Sequence, residues 1–140
     1  MLFMILAVSL PLANGLLGVI GTPQSIAVRG QLTCNGVPAQ SVRVKLYDVN
    51  TLVPDSFMAE EFSDSQGAFQ LQGKVTDITT MDPKFNIYHQ CNYQGPCYQK
   101  IPFVVPKKFN TVGSTPELVY DVGAIELAQH HDDQSQDCLN

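Results

Sequence analysis

Four cysteines and three histidines are the residues best equipped for chemistry in this chain. An even cysteine count in a short chain suits a disulfide framework, whereas zinc would want Cys-x2–4-Cys pairs or neighbouring histidines. The spacings of Cys34, Cys91, Cys97 and Cys138 do not fit zinc. Four cysteines allow three pairings. The preferred one joins Cys91 to Cys97 across the turn-rich Asn-Tyr-Gln-Gly-Pro stretch and leaves Cys34 for Cys138. With all four sulfurs in bridges, no thiolate nucleophile remains.

The histidines offer less. His89 lies in phase with Phe85 and Ile87, which suits a core position better than a catalytic one. The run His130-His131-Asp132-Asp133 has metal-friendly types, but adjacent residues on a loose tail do not preorganise a closed site. No Gly-x-Ser-x-Gly, His-Glu-x-x-His or P-loop pattern occurs. Catalysis and cofactors are therefore not expected. Arg43, Lys45 and Tyr47 form the one candidate ligand or partner surface. Two cations beside an aromatic on one strand face could meet a phosphate or an anionic head group, although an ordinary polar face reads the same way.

The elements that must carry these residues read as strands. Alternation with period two dominates. It places Ile26, Val28, Gly30, Leu32 and Cys34 on one face, then Val42, Val44 and Leu46 inward against Arg43, Lys45 and Tyr47 outward. Asn35-Gly36 and Asp64-Ser65-Gln66-Gly67 are turn signals, the second read as a hairpin. Further strands are expected over 57–62, 68–72, 84–91, 98–105 and 118–127, with a bulge near Gly123 and a short helix within 76–82 or 107–113. Seven to eight short strands describe an all-β antiparallel sandwich.

The run Leu2–Ala13 is apolar but too short to span a bilayer, and small residues follow at Ala13 and Gly15. Residues 1–15 therefore read as a signal peptide, with an alternative cleavage after Gly21. Residues 22–128 read as the sandwich, and 129–140 as an acidic tail pinned by Cys138. The net charge of −5 and the dispersal of eight Lys and Arg along the sequence argue against nucleic acid as a partner. The expected product is a secreted, extracellular protein that does not span a membrane.

Several runs taken together resemble the nematode transthyretin-like family: Gln24–Gly36, Val42–Asp48, Asp64–Phe69, Asp82-Pro83, Ile87–Cys91 with Cys97, and Tyr120–Gly123 with Cys138. The resemblance implies a transthyretin-like (prealbumin-like) sandwich of two sheets. It implies no single activity. One member is similar to a bridging molecule that recognises phosphatidylserine on dying cells, which points to an extracellular protein or lipid partner. A carrier of a small apolar ligand is the alternative. A hydroxyisourate-type hydrolase is a weaker one, because this chain ends Asp-Cys-Leu-Asn where that enzyme ends Tyr-Arg-Gly-Ser.

Overall fold

The computed structural model describes residues 21–139. The leader expected over 1–15 lies outside the described residues. The strands in chain order are β1 (Thr22–Cys34), β2 (Val37–Pro38), β3 (Arg43–Asp48), β4 (Ser56–Phe62), β5 (Ala68–Asp77), β6 (Pro83–His89), β7 (Tyr98–Val104), β8 (Thr111–Val112), β9 (Tyr120–Glu126) and β10 (Ser135–Asp137). A single 3-10 turn, Lys107–Phe109, follows β7 and falls within the expected 107–113 window. No described helix is long and apolar enough to cross a membrane.

Two five-stranded sheets face each other. In the first, β1 is central: β8 and β9 pair along one side of it, and β5 and then β2 along the other. The second runs β10-β7-β6-β3-β4. All pairings are antiparallel except β1 with β9, which is parallel. The β1–β9 register slips between Arg29 and Gln31, opposite Gly123 at φ +79°. That is the bulge the sequence signals at this glycine.

Period-two patterning explains the layers. Along β3 the residues alternate half-buried and buried, so Val44, Leu46 and Asp48 point inward and Arg43, Lys45 and Tyr47 outward. The inward sets of both sheets meet in one core built on Ile26, Val28, Leu32, Leu46, Leu71, Phe85, Ile87 and Ile101. Phe85 stacks on Phe103 at 5.0 Å and meets Phe69 at 6.0 Å between ring centroids. Burying each such side chain contributes about 1.5–3 kcal/mol.

The turns work as their sequences suggest, with one difference. Asn35 (φ 54°) and Gly36 (φ 79°) make the two-residue connection between Cys34 and Val37, both in the left-handed region a type I′ turn requires. At the second turn, the Asp64 carboxylate accepts from the N–H groups of Gln66 and Ala68, both at 2.9 Å. Gly67 takes φ +79°. The strands it joins, β4 and β5, belong to different sheets, so this is a cross-sheet connection rather than a ladder hairpin.

The cysteine pairing differs from the preferred one. Cys34 bonds Cys91, and Cys97 bonds Cys138. The cause is register. β7 and β10 pair Tyr98 with Asp137 and Gln99 with Gln136, so Cys97 and Cys138 fall opposite each other one step further along. Cys34, at the end of β1, and Cys91, just past β6, then meet across the two sheets with Cα atoms 5.7 Å apart. The tail beyond Gln129 is accordingly not loose: it carries β10 and closes the β7 edge of its sheet.

Candidate functional site

The outward face of the second sheet is a grid set by strand register. Arg43 lies opposite Phe62 on β4 and Tyr88 on β6; Lys45 opposite Glu60 and Asn86; Tyr47 opposite Phe57 and Lys84. On β7, Lys100 continues the first row beside Tyr88, and Pro102 the second beside Asn86. Arg43, Lys45 and Tyr47 are thus brought together with each other and with residues the sequence reading had not grouped. Lys45, Arg43, Lys84 and Lys100 are half of the chain's eight Lys and Arg, dispersed in sequence yet gathered on one face. The signal that could have found them was the outward phase of each strand. It was visible in β3 but hidden in β6, where every residue from Phe85 to His89 is buried.

Cations and rings interleave on this surface. The Arg43 guanidinium sits 5.6 Å from the Phe62 centroid, and the Lys45 ammonium 5.3 Å from that of Tyr88. Such contacts contribute about 0.5–1 kcal/mol each at exposed sites. Tyr47 meets Phe57 edge-on at 5.9 Å. Carboxylates answer three of the four cations: Arg43 with Glu60 at 3.8 Å, Lys84 with Asp55 at 2.6 Å, and Lys100 with Asp137 at 3.8 Å. Lys45 has no carboxylate partner among the described residues; only the Tyr88 ring holds it. Two large rings on β4 remain open to solvent, Phe57 at 58% exposure and Phe62 at 51%. Aromatic and arginine anchors beside an uncommitted charge are the composition that protein interfaces favour.

The layer beneath these side chains is polar and nearly closed. Asn86 and Tyr88 are buried under them, and the Asn86 amide donates to the Tyr88 hydroxyl at 3.3 Å. The Asn86 Oδ1 has no hydrogen-bond partner among the described residues. Burial, reinforced by Tyr88 and by the Glu60 charge, pushes the Tyr47 phenol up to about 12. Tyr47 is therefore a neutral hydroxyl at physiological pH, able to donate one hydrogen bond.

The histidines occupy one corner of the sandwich. His89 points inward as its phase with Phe85 and Ile87 predicts and is buried. Its Nδ1 accepts from the Cys91 N–H at 3.0 Å, which places the proton on Nε2. Burial holds its pKa below the ordinary imidazole range. His131 approaches the Glu126 carbonyl at 3.0 Å and the edge of Phe103, while His130 faces only Asp132 at the surface. Among the described residues no group of three His, Cys, Asp or Glu side chains is placed to hold a metal ion.

A disulfide-tied sandwich of two five-stranded sheets, with one outward face rich in cations and rings, is the class of molecule this geometry defines. Its sequence then gives the family. The profile described as "Transthyretin-like family" matches residues 29–106. Transthyretin-like protein 5 of Caenorhabditis elegans is 41% identical over 125 residues, covering 87% of this chain and 89% of that protein. Transthyretin-like protein 33 of the same organism is 38% identical over 120 residues, covering 84% and 83%, and transthyretin-like protein 2 is 37% identical over 132 residues, covering 89% and 88%. The chain belongs to the transthyretin-like family.

Proposed function

We propose that this chain is a secreted, non-enzymatic protein that binds an extracellular partner through the outward face of its second sheet. Lys45 carries the reading. It is a cation with no carboxylate partner among the described residues, set between two exposed phenylalanines on an interior-supported strand. An isolated positive charge flanked by rings suits an acidic group on a cell-surface protein, or the phosphate of a lipid head group such as that of phosphatidylserine. The disulfides support an oxidising compartment. The apolar leader-type sequence Leu2–Ala13 supports export. Phe69, Phe85 and Phe103 fill the space between the sheets, which disfavours carriage of a ligand there.

The test is an unbiased capture of extracellular partners, with wild-type protein and Lys45→Glu compared on the same cells. Partners lost with the variant support the reading. Capture that is unchanged by Lys45→Glu and by Phe62→Ala overturns it.

A further inference from the structure

Both disulfides lie at one end of the sandwich, where β6 finishes and β7 begins, and a cleft of about 430 Å³ opens there. Clefts that hold small ligands span about 300–1,000 Å³. The segment just past β6 lines it through Asn92 and Tyr93, β7 through Gln99, and the tail after β9 through residues that include Leu127 and Gln134. Two of these segments are anchored covalently, Cys91 to Cys34 and the tail through Cys138 to Cys97. The lining is thus fixed before a ligand arrives, which lowers the ordering cost of binding. His89 also lines the cleft, although only 3% of it is exposed, and register sets it opposite Gln99. A buried imidazole carries a desolvation cost that an apolar side chain at the same position would not. The Cys91 N–H occupies its Nδ1, so the Nε2 proton is directed to the side of the ring where Gln134 and His131 act on it.

No Asp, Glu, Lys or Arg lines this cleft, in a chain with 13 acidic and eight basic residues. Its polarity comes mostly from amides. Asn92 exchanges two hydrogen bonds with Asn35, at 2.8 and 3.1 Å, and Gln134 donates to the Gln99 Oε1 at 3.2 Å. The Tyr93 hydroxyl accepts from Gln136 at 2.7 Å. These bonds orient the groups without exhausting them. An amide has two N–H donors and two acceptor lone pairs, and Tyr93 keeps its own proton to donate. An ion would meet no opposite charge here, and an apolar ligand would strip water from the amides without replacing its hydrogen bonds. A hydroxyl group fits, because it donates and accepts as the amides do. An extended peptide seeks a strand edge, and β10 already takes the β7 edge at Tyr98, Gln99 and Lys100.

We propose that this cleft binds a neutral saccharide, with His89, Gln99 and Gln134 hydrogen-bonding its hydroxyls and the Tyr93 ring lying against its C–H face. A tyrosine suits the last role because it joins an apolar ring to a polar tip. The cleft is separate from the sheet face around Lys45, and neither reading depends on the other.

The test is an array probed with purified protein. It carries neutral oligosaccharides ending in galactose, glucose, mannose, fucose or N-acetylglucosamine, beside sialylated and sulfated glycans and unglycosylated neutral peptides. Saturable binding to one or more neutral glycans is the expected result, and raised salt should not weaken it, since no charged side chain takes part. Tyr93→Ala with Gln134→Ala should weaken that binding by about tenfold or more in titration calorimetry, through the lost ring contact and hydrogen bonds. Gln134 is exposed and Tyr93 partly so, and a matching melting curve shows that the fold is kept. The same titration of wild type should move the His89 ring signals in NMR. Lys45→Glu should bind the glycan as wild type does, which separates the cleft from the sheet face. Binding to no neutral glycan overturns the inference, as does recognition confined to the charged glycans or to the peptides. Wild-type affinity in the Tyr93/Gln134 variant, or glycan binding that leaves the His89 signals in place, overturns it as well.

Discussion

Asp48 gives the sharpest stability prediction. It ends β3 facing inward at 1% exposure, and its Oδ1 accepts from the Asp82 N–H at 2.8 Å. Burial, and next the neighbouring Asp77 carboxyl, raise its pKa to about 6, while Asp77 is lowered. The two carboxyls therefore hold one proton between them above the range where isolated carboxylates ionise. A folded pKa above the unfolded value means that folding takes up a proton. The contribution is fully present below about pH 4 and is lost as pH rises through about 6. A shift of about two units corresponds to about 3 kcal/mol. His89 acts in the opposite sense. Its lowered pKa means that stability is lost as pH falls below about 6.5, where the unfolded imidazole charges. Wild-type stability alone therefore mixes two slopes.

Asp48→Asn separates them. The amide oxygen can still accept from Asp82, and the amide nitrogen can donate to Asp77 without a proton being shared. Urea unfolding at pH 5, 6, 7 and 8, followed by circular dichroism because the chain has no tryptophan, gives both stabilities at each pH. The variant should exceed wild type by about 2–3 kcal/mol at pH 8 and converge toward it as the pH approaches 5. A constant difference across that range, or a variant less stable at pH 8, would refute the reasoning.

Two further stability predictions follow from the frame. Replacing both Cys34 and Cys91 by Ser opens a loop of 57 positions, which the chain-entropy model values at about 4 kcal/mol. The melting temperature should fall by about 15 °C, while non-reducing peptide mapping of wild type should recover Cys34 with Cys91 and Cys97 with Cys138. Gly67→Ala should cost about 2–3 kcal/mol in urea unfolding, because φ is +79° there and an added Cβ would lie 2.1 Å from the Leu32 carbonyl oxygen.

What the sequence made legible was local. β3 could be read residue by residue because its inward Val44 and Leu46 alternate with polar neighbours at the spacing of a half-buried strand. Gly67 and Gly123 announced their turn and bulge because those conformations favour glycine. What stayed hidden was non-local. The cysteine partners depend on a three-residue strand, Ser135–Asp137, too short and polar to signal itself, pairing with β7 some 35 positions earlier. The parallel β1–β9 contact joins residues 92 positions apart, for which alternation carries no information about direction. The grid around Lys45 needed both things at once: the outward phase of β3, which was readable, and the partners Glu60, Asn86 and Tyr88, which only register supplies.

The most direct check on the binding face is quantitative titration of labelled purified protein onto intact cells, with Lys45→Glu and Phe62→Ala run beside wild type. The account predicts saturable wild-type binding, weakened by about tenfold or more in either variant, as for a hot-spot side chain worth above 1.4 kcal/mol. Saturable binding of equal affinity in all three proteins would place recognition elsewhere on the molecule and contradict it.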